Sequence, residues 1–252
     1  CNILFLGKIK MSQETVVNVN SEIYYRGQYW NDFPQVLEYM SENFTGNKNK
    51  WWVQDFLERF CQTSFEHGLV LNCGNGWVER ELIDKGMVTK VTAFDYSLDL
   101  LKKANTERGN RSISYFLADV NRVDFKENQF DLIINVASLH HVQYINRICR
   151  ILSKSLKNDG LFVNYDYIGP HRNQYSKKQW HHIKEVNQSL PDLIKKNPLN
   201  KPHLPTMLVS DPSEAIHSEL IIKTVSKYFD LFERHDTGGG IAYELLTHNE
   251  KL

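Results

Sequence analysis

The chain of 252 residues has few cysteines, and the cysteines it has show no pairing pattern. The four are Cys1, Cys61, Cys73 and Cys149, and the closest two are twelve residues apart. Zinc sites built on cysteine use closely spaced pairs, and secreted domains held by disulfides are rich in cysteine. The cysteine content therefore argues against both, and it favours a reducing, cytoplasmic location.

The sequence also lacks an excess of charge and a long apolar run. Thirty basic residues balance thirty acidic ones, and no long basic stripe is present, so we expect no nucleic-acid partner. The apolar residues 1–6 are too short to span a membrane and lack the flanks of a signal peptide. We therefore expect no membrane span. Because Met11 opens a more typical start, residues 1–10 are left out of the fold prediction.

The remaining composition fits one globular core. Hydrophobic residues make up 41% of the chain, and there is no internal repeat. Helical patterns at 34–44 and 51–60 lie in an aromatic-rich stretch before the first strand. We expect residues 1–60 to form an N-terminal extension with a helical lid, and residues 61–252 to form a single globular domain.

Two kinds of apolar segment alternate through the middle of the chain. Short continuous runs indicate buried strands, and apolar residues at every third or fourth position indicate helices. The predicted strands are 69–71, 90–94, 114–119, 130–136 and 161–167, and the predicted helices include 98–107 and 143–157. This alternation is typical of a doubly wound α/β fold with a parallel sheet.

A glycine turn follows the first predicted strand, and an acidic residue ends the second. Residues 70–97 read VLNCGNGWVERELIDKGMVTKVTAFDYS, in which Asp95 lies nineteen residues after Gly76. Gly74 and Gly76 permit a sharp turn and the close approach of a ligand. A carboxylate at the end of the neighbouring strand can accept hydrogen bonds from both hydroxyls of a ribose. The combination predicts a nucleoside-binding βαβ unit.

With a second acid at Asp119 and the motif ASLHHV at residues 137–142, the pattern resembles the class I S-adenosylmethionine-dependent methyltransferases. The resemblance implies an α/β Rossmann-like fold with a doubly wound, mostly parallel seven-stranded sheet. It also implies an antiparallel C-terminal hairpin at residues 228–247. The cofactor would be S-adenosylmethionine, bound by Tyr25, Trp30, Asn72, Cys73, Gly74, Gly76, Asp95, Tyr96, Ser97, Asp119, Val120 and Asn135.

The glycine motif departs from the family pattern at two positions. Val70 and Asn72 stand where the family usually has an acid and a further glycine. Asparagine tolerates positive φ better than most residues, so we expect the turn to survive. The missing acid predicts weaker cofactor affinity.

A narrower resemblance covers most of the chain. The segments CGNGWVER, YDYIGPHRNQYS at 165–176 and DPSEAIHSELI at 211–221 are similar to bacterial methyltransferases associated with glycan biosynthesis. This resemblance implies a small-molecule or glycan-precursor acceptor, for example a sugar, a nucleotide-sugar or a phosphate-bearing precursor of capsule or lipopolysaccharide. The sequence gives no indication of oligomeric state.

Three histidines follow predicted strands and are candidate catalytic residues. A hydroxyl acceptor must lose a proton during methyl transfer, and histidine is suited to accept it, so we name His140, His141 and His171. The alternative is that His140 packs against the cofactor and that His141 caps a helix or faces solvent. Asp166, Tyr167 and Arg172 are candidate acceptor-binding residues, although Asp166 and Arg172 could simply pair with each other.

The proline-rich stretch 191–212 is expected to be irregular and to form a wall of the acceptor pocket.

We expect no metal site, because adjacent histidines such as His140 and His141 should point in divergent directions and no carboxylate recurs at a completing spacing. Three other functions stay open at this point. They are N-methylation of a small amine, a non-catalytic scaffold with the cofactor fold, and a nicotinamide dehydrogenase. The last is disfavoured because the third glycine of the dinucleotide fingerprint is missing.

Overall fold

The structure is a computed structural model, and it describes residues 29–60 and 63–252. The predictions made for Tyr25, Cys61 and residues 1–10 lie outside the described residues. Within the described ranges, no helix is both long enough and apolar enough to cross a membrane.

A five-stranded sheet forms the centre of the described structure, with strand order β3-β2-β1-β4-β5 and parallel pairing between all neighbours. The prediction of a parallel, doubly wound α/β sheet is confirmed. The continuous apolar runs form its middle strands because both faces of these strands are covered. The strands are β1 (Phe65–Leu71), β2 (Val88–Asp95), β3 (Ile113–Leu117), β4 (Phe130–Val136) and β5 (Leu156–Tyr165).

Nine α-helices surround or follow the sheet in the described residues. They are α1 (Pro34–Thr45), α2 (Trp52–Phe60), α3 (Trp77–Asp84), α4 (Leu98–Glu107), α5 (Ile145–Ser155), α6 (Lys177–Ser189), α7 (Leu204–Ser210), α8 (Ile221–Tyr228) and α9 (Gly240–Leu246). Short 3₁₀ turns occur at Trp30–Asp32, Leu139–His141, His171–Asn173 and Ser218–Leu220. Ser97 caps α4 by accepting a hydrogen bond from the amide of Leu100.

Helices cover the sheet on both faces. On one face Val70 and Ile134 pack with Trp52, Val78 and Leu82, so α2 and α3 close this side. On the other face a second cluster brings in α5 and α8; it includes Leu69, Leu71, Phe94, Ile133, Ile148, Leu152 and Ile221. Neighbouring residues of β1 enter opposite clusters, as the period of two in a strand requires.

The N-terminal segment is joined to this core through α2. Trp52 and Val53 are buried, and the Trp52 ring stacks on Tyr165 of β5 with centroids 6.3 Å apart. The predicted helical patterns at 34–44 and 51–60 are confirmed as α1 and α2.

Strand β5 begins earlier than the sequence predicts. We expected a helix through residue 157, but α5 ends at Ser155 and β5 starts at Leu156. Phe130 pairs with Leu156 and Leu132 pairs with Leu161, so β5 contains a bulge beside β4. Gly160 lies in this bulge, where glycine is common because it tolerates irregular backbone.

The prediction of seven strands with an antiparallel C-terminal hairpin is wrong for the described residues. Tyr228 ends α8, the following residues 229–239 have no regular secondary structure, and residues 240–246 form α9. Ile241 and Leu245 satisfy both a strand period and a helical i, i+4 spacing, so the pattern was ambiguous. Leu245 is buried against Trp180 and Ile183 of α6, and this contact stabilises the helix.

Candidate active site

A cavity of about 1610 Å³ opens at the carboxyl ends of the strands. Open parallel sheets bind ligands at this edge, where the chain leaves β1 and β4 in opposite directions. Drug-sized ligands usually occupy pockets of roughly 300 to 1,000 Å³, so this cavity has room for a cofactor together with an acceptor. Its lining includes residues 72–74, 95–97, 119–121, 136–138, 140–141 and 162–169.

The turn after β1 has the backbone conformation that its sequence predicts. Asn72, Gly74 and Gly76 have φ of 44°, 55° and 77°, so the asparagine does adopt positive φ. Asn72, Cys73 and Gly74 line the cavity. Gly76 instead begins α3 beneath the turn, where a Cβ would overlap the hydroxyl of Tyr115 and lie 2.9 Å from the Cβ of Ala104. The two glycines therefore have different roles, one at the ligand and one in packing.

Asp95 is fixed at the cavity wall by the backbone around it. Its Oδ2 accepts a hydrogen bond of 2.8 Å from the Gly74 amide, and its Oδ1 accepts one of 2.7 Å from the Ser97 amide. Burial raises the pKa of Asp95, and the hydrogen bonds from the backbone amides of Ser97, Gly74 and Tyr96 oppose this shift. Each carboxylate oxygen keeps a further lone pair, so Asp95 can still accept hydrogen bonds from a ribose.

The loops after β2 and β3 complete this half of the cavity. Tyr96 is half exposed, whereas Val120 is buried and presents an apolar surface. Asp119 Oδ1 accepts a hydrogen bond of 2.8 Å from the Asn121 amide, which fixes this loop. Carboxylates beside an apolar wall and a glycine turn fit a nucleoside such as that of S-adenosylmethionine.

A buried polar cluster lies at the other end of the cavity. Asp166 accepts hydrogen bonds of 2.7 Å from the amides of Leu139 and Tyr167, and its side chain is fully buried. Its Oδ1 also lies 2.5 Å from Nδ1 of His140. The 3₁₀ turn at Leu139–His141 thus places His140 on Asp166 by side-chain and backbone contacts together.

Glu214 reaches the same cluster from the loop before α8. Its Oε2 lies 3.8 Å from Nε2 of His140 and 3.8 Å from Nε2 of His141. The two imidazole rings have centroids only 4.1 Å apart. Our premise that adjacent histidines diverge is therefore wrong for this pair, because a tight 3₁₀ turn brings their rings together.

The two histidines differ in electrostatic environment. Burial lowers the pKa of His140, but the charges of Asp166, Glu214 and Asp211 outweigh burial and raise it overall. Burial and the neighbouring His140 lower the pKa of His141 to about 4. Burial raises the pKa of Glu214, and the charge of His140 opposes this increase.

Besides Gly76, three of the predicted site residues in the described part of the chain do not line the cavity. His171 pairs with Glu219 at 3.3 Å, and Arg172 donates to the carbonyl oxygens of Pro212 (2.5 Å) and Glu214 (3.1 Å). The suggested pair between Arg172 and Asp166 does not form. Arg172 adopts a positive φ of 55° inside the 3₁₀ turn, and the flanking Gly169 and Asn173 do line the cavity. Asn135 is fully buried under the cluster and bonds Asp166 and Asn164 at 2.7 Å.

The structure also brings residues to the cavity that the sequence did not single out. Glu214 and Ser213 belong to the segment DPSEAIHSELI. This segment contributes to the narrower resemblance, but the resemblance assigns no role to either residue. Tyr29, Ser138 and Tyr243 line the cavity as well. Tyr29 and Tyr243 come from opposite ends of the chain, so no local pattern could have linked them. The predicted residues that line the cavity are Trp30, Asn72, Cys73, Gly74, Asp95, Tyr96, Ser97, Asp119, Val120, His140, His141, Asp166 and Tyr167.

Comparison with known families identifies the central part of the chain. Residues 69–164 match the sequence model of a family described as "Methyltransferase domain". This match covers less than half of the chain, and it shows that residues 69–164 are similar to that family. The matched region runs from β1 to β5, and it contains the glycine turn, both acids of the nucleoside half and the paired histidines.

Curated relatives resemble the same part of the chain. Malonyl-[acyl-carrier protein] O-methyltransferase of Bacillus cereus is 26% identical over 106 residues, which is 42% of this chain and 39% of that protein. Arginine-hydroxylase NDUFAF5, mitochondrial, of Mus musculus is 34% identical over 130 residues, which is 52% of this chain and 35% of that protein. The matches thus span well under half of each relative. Because one relative is named as a methyltransferase and the other as a hydroxylase, these two relatives do not identify the acceptor.

A solved structure shares the fold of this chain. Phosphoethanolamine N-methyltransferase 2 of Haemonchus contortus, in complex with S-adenosyl-L-methionine, matches with a TM-score of 0.51. The match covers 82% of this chain and 43% of that chain at 17% sequence identity. At this identity the likeness concerns the fold alone.

Proposed function

We propose that the protein transfers a methyl group from S-adenosylmethionine to a hydroxyl oxygen of an acceptor bound beside His140 and Glu214. The observation that carries this proposal is the shared cavity. The glycine turn and Asp95 form one end of it, and the buried cluster of His140, Asp166 and Glu214 forms the other. A hydroxyl acceptor needs a group that removes its proton, whereas an already anionic acceptor does not.

The protein residues have separate duties in this scheme. Asp95 holds the ribose, and the turn at residues 72–74 supports the remainder of the cofactor. When bound, S-adenosylmethionine would supply an electrophilic methyl carbon, whose bond to sulfur breaks as its bond to the acceptor oxygen forms. His140 is oriented through Nδ1 by Asp166, so its Nε2 faces the acceptor. The acceptor hydroxyl gives up its proton at this cluster. The cavity contributes mainly by aligning the acceptor oxygen with the methyl carbon.

We take the acceptor to be a sugar, a nucleotide-sugar or another glycan precursor. The narrower resemblance of residues 165–176 and 211–221 supports this choice. Carboxylates of Asp166 and Glu214 beside the Tyr167 ring suit a neutral hydroxylated molecule. They suit a phosphate next to the transfer point poorly, because Arg172 is already bonded to backbone carbonyls.

A second candidate is methylation of an amine. The same carboxylates, Asp166 and Glu214, would attract a cationic acceptor, and this observation favours an amine over an anion. A cationic amine would first lose a proton to solvent, and the neutral amine then needs no base at the moment of transfer. Replacing His140 and His141 in turn by alanine should abolish transfer to a hydroxyl but leave transfer to an amine largely intact.

Cofactor binding is tested by replacing Asp95. We expect Asp95→Asn to weaken S-adenosylmethionine binding by about 30-fold or more, because charge-assisted hydrogen bonds contribute roughly 2 kcal/mol. Isothermal titration calorimetry measures this change. The matched control is Asp99→Asn, since the Asp99 side chain is 86% exposed at the start of α4. Equal affinity in wild-type protein and Asp95→Asn would contradict the proposed cofactor site.

The acceptor is tested directly with radiolabelled S-adenosylmethionine. Purified protein is incubated with separate pools of sugars, nucleotide-sugars and small amines, and any labelled product is analysed by mass spectrometry. We expect an O-methyl sugar product. An N-methyl product would favour the second candidate. A protein that binds the cofactor but labels no pool would count against the proposed acceptor class.

A further inference from the structure

We propose that His140, His141 and Glu214 form a binding site for one divalent transition-metal ion. The site stands on geometry alone, whereas its role in catalysis rests on the proposed function. It revises the expectation from sequence that the chain has no metal site.

The three side chains converge with the spacing of a ligand set. One ligand atom from each lies within 4.8 Å of the others, and Glu214 Oε2 lies 3.8 Å from both Nε2 atoms. Metal–ligand bonds of about 2.1 Å place neighbouring ligand atoms roughly 3.0 to 3.5 Å apart. Small side-chain shifts would therefore close the set around an ion. The 3.8 Å separations are too long for direct hydrogen bonds.

The outer contacts of the site are those that metal-binding histidines usually have. Nδ1 of His140 is bonded to Asp166 at 2.5 Å, and Nδ1 of His141 lies 3.1 Å from Oγ of Ser213. A metal-binding histidine commonly uses its second nitrogen in this way, which fixes the ring and aims the other nitrogen at the metal. Both Nε2 atoms lie 3.8 Å from Oε2 of Glu214.

Glu214 is held in place as well. Its Oε1 accepts a hydrogen bond of 3.4 Å from Asn173, and its backbone carbonyl accepts one of 3.1 Å from Arg172. The Ile216 amide donates to the carbonyl oxygen of His140 at 3.0 Å, which ties the two loops together. Two segments more than seventy residues apart are thus fixed so that Oε2 of Glu214 faces the histidines.

Two imidazoles and one carboxylate select the class of metal. Mg²⁺ and Ca²⁺ prefer oxygen ligands, whereas imidazole suits Zn²⁺, Fe²⁺, Co²⁺ and Ni²⁺. Three protein ligands leave coordination positions open, and all three residues line the cavity. An acceptor hydroxyl that occupied an open position would become more acidic. Its proton would then pass to solvent, and His140 would act as a ligand and not as the base.

The first experiment measures metal binding to protein without a polyhistidine tag. After treatment with EDTA, the protein is titrated with Zn²⁺ and Co²⁺ by calorimetry, and the visible spectrum of the Co²⁺ complex is recorded. We expect one ion per chain with a dissociation constant of about 10 μM or lower. Glu214→Gln and His141→Gln should each weaken binding by 10-fold to 100-fold, as losing a ligand does. The control Glu219→Gln alters a half-exposed side chain outside the cavity lining and should bind normally.

The affinity of every variant for S-adenosylmethionine is measured in parallel, because retained affinity demonstrates a folded cofactor half. Weak wild-type binding, or strong binding that Glu214→Gln and His141→Gln leave unchanged, would overturn the metal site while leaving the proposed function intact. Tight metal binding in a protein that methylates nothing would keep the site and remove the proposed function. Full methyl transfer by metal-free protein would overturn the catalytic role of the ion.

Discussion

Gly76 shows how one residue can link the ligand turn to the packing beneath it. A side chain at this position would need a φ near 77° and would meet Tyr115 and Ala104. Both effects are unfavourable, because L-residues rarely adopt this φ and buried neighbours cannot easily move. We expect Gly76→Ala to lower the free energy of unfolding by about 2 to 4 kcal/mol, measured by urea denaturation.

A second substitution separates the two causes. Tyr115→Phe removes the hydroxyl that the new Cβ would meet, so the double variant should recover part of the loss. The remaining loss would reflect backbone strain. Strictly additive effects of the two substitutions would argue that the contact with Tyr115 is unimportant.

Glu79 is a buried acid near the glycine turn. It is fully buried on α3, and burial raises its pKa to about 8, with a further contribution from the charge of Asp95. Its carboxyl group is therefore uncharged in the folded protein at neutral pH. In the unfolded chain the same group ionises near its ordinary value of 4.5. The folded state consequently binds a proton that the unfolded state loses between these two values.

This difference predicts how stability depends on pH. As pH rises from about 4.5 to about 8, Glu79 should lower the free energy of unfolding by roughly 1.4 kcal/mol per pH unit. Glu79→Gln has no such proton, so its stability relative to wild type should rise with pH through this window. Urea denaturation of both proteins at pH 5, 7 and 8.5 measures the difference. Parallel curves for the two proteins would contradict the shifted pKa.

Residues of the nucleoside half could be predicted because they are close in sequence. Asp95 follows the glycine turn by one helix and one strand, a spacing fixed by the βαβ unit itself. Glu214 could not be predicted in this way, since its place beside His140 depends on the path of the chain after β5. His171 and Arg172 were misplaced for the same reason. Their position after a strand is correct, but neither residue lines the cavity.

Elements with a strong and unambiguous period were predicted well. Strand β4 and helix α4 have the predicted bounds, because a continuous apolar run and a capped amphipathic segment each allow one interpretation. The start of β5 was missed because its bulge breaks the period. The C-terminal hairpin was wrong because residues 241–245 fit two periods equally.

The packing of helix α9 can be tested with the apolar residue near each of its two ends. Leu245 is 3% exposed and packs against α6, whereas Ile241 is 40% exposed. We expect Leu245→Ala to lower the free energy of unfolding by about 2 to 4 kcal/mol, because it leaves a cavity. The matched control Ile241→Ala should cost less than about 1 kcal/mol. Chemical denaturation measures both, and equal losses would contradict the described packing of α9.

At the scale of the whole molecule, the first and the last parts of the described residues meet at the cavity. The Trp30 amide donates to Oγ1 of Thr247 at 3.1 Å. A Cβ at Gly239 would lie 2.8 Å from the Trp30 ring, so glycine allows this close approach. Trp30 and Gly239 both line the cavity. The lid predicted from sequence is therefore in direct contact with the segment before α9.

This contact predicts that cofactor binding stabilises both ends together. Ligands that bind only the folded state slow the opening of the segments they hold in place. S-adenosylmethionine should therefore slow amide hydrogen exchange at residues 29–33 and 237–247 as well as at 72–76, as measured by mass spectrometry. In Trp30→Ala the protection at 237–247 should be lost while that at 72–76 remains. Tyr39→Ala, which alters an exposed aromatic side chain on α1, should keep the wild-type pattern. Protection confined to 72–76 in the wild-type protein would mean that the cofactor binds without engaging the lid.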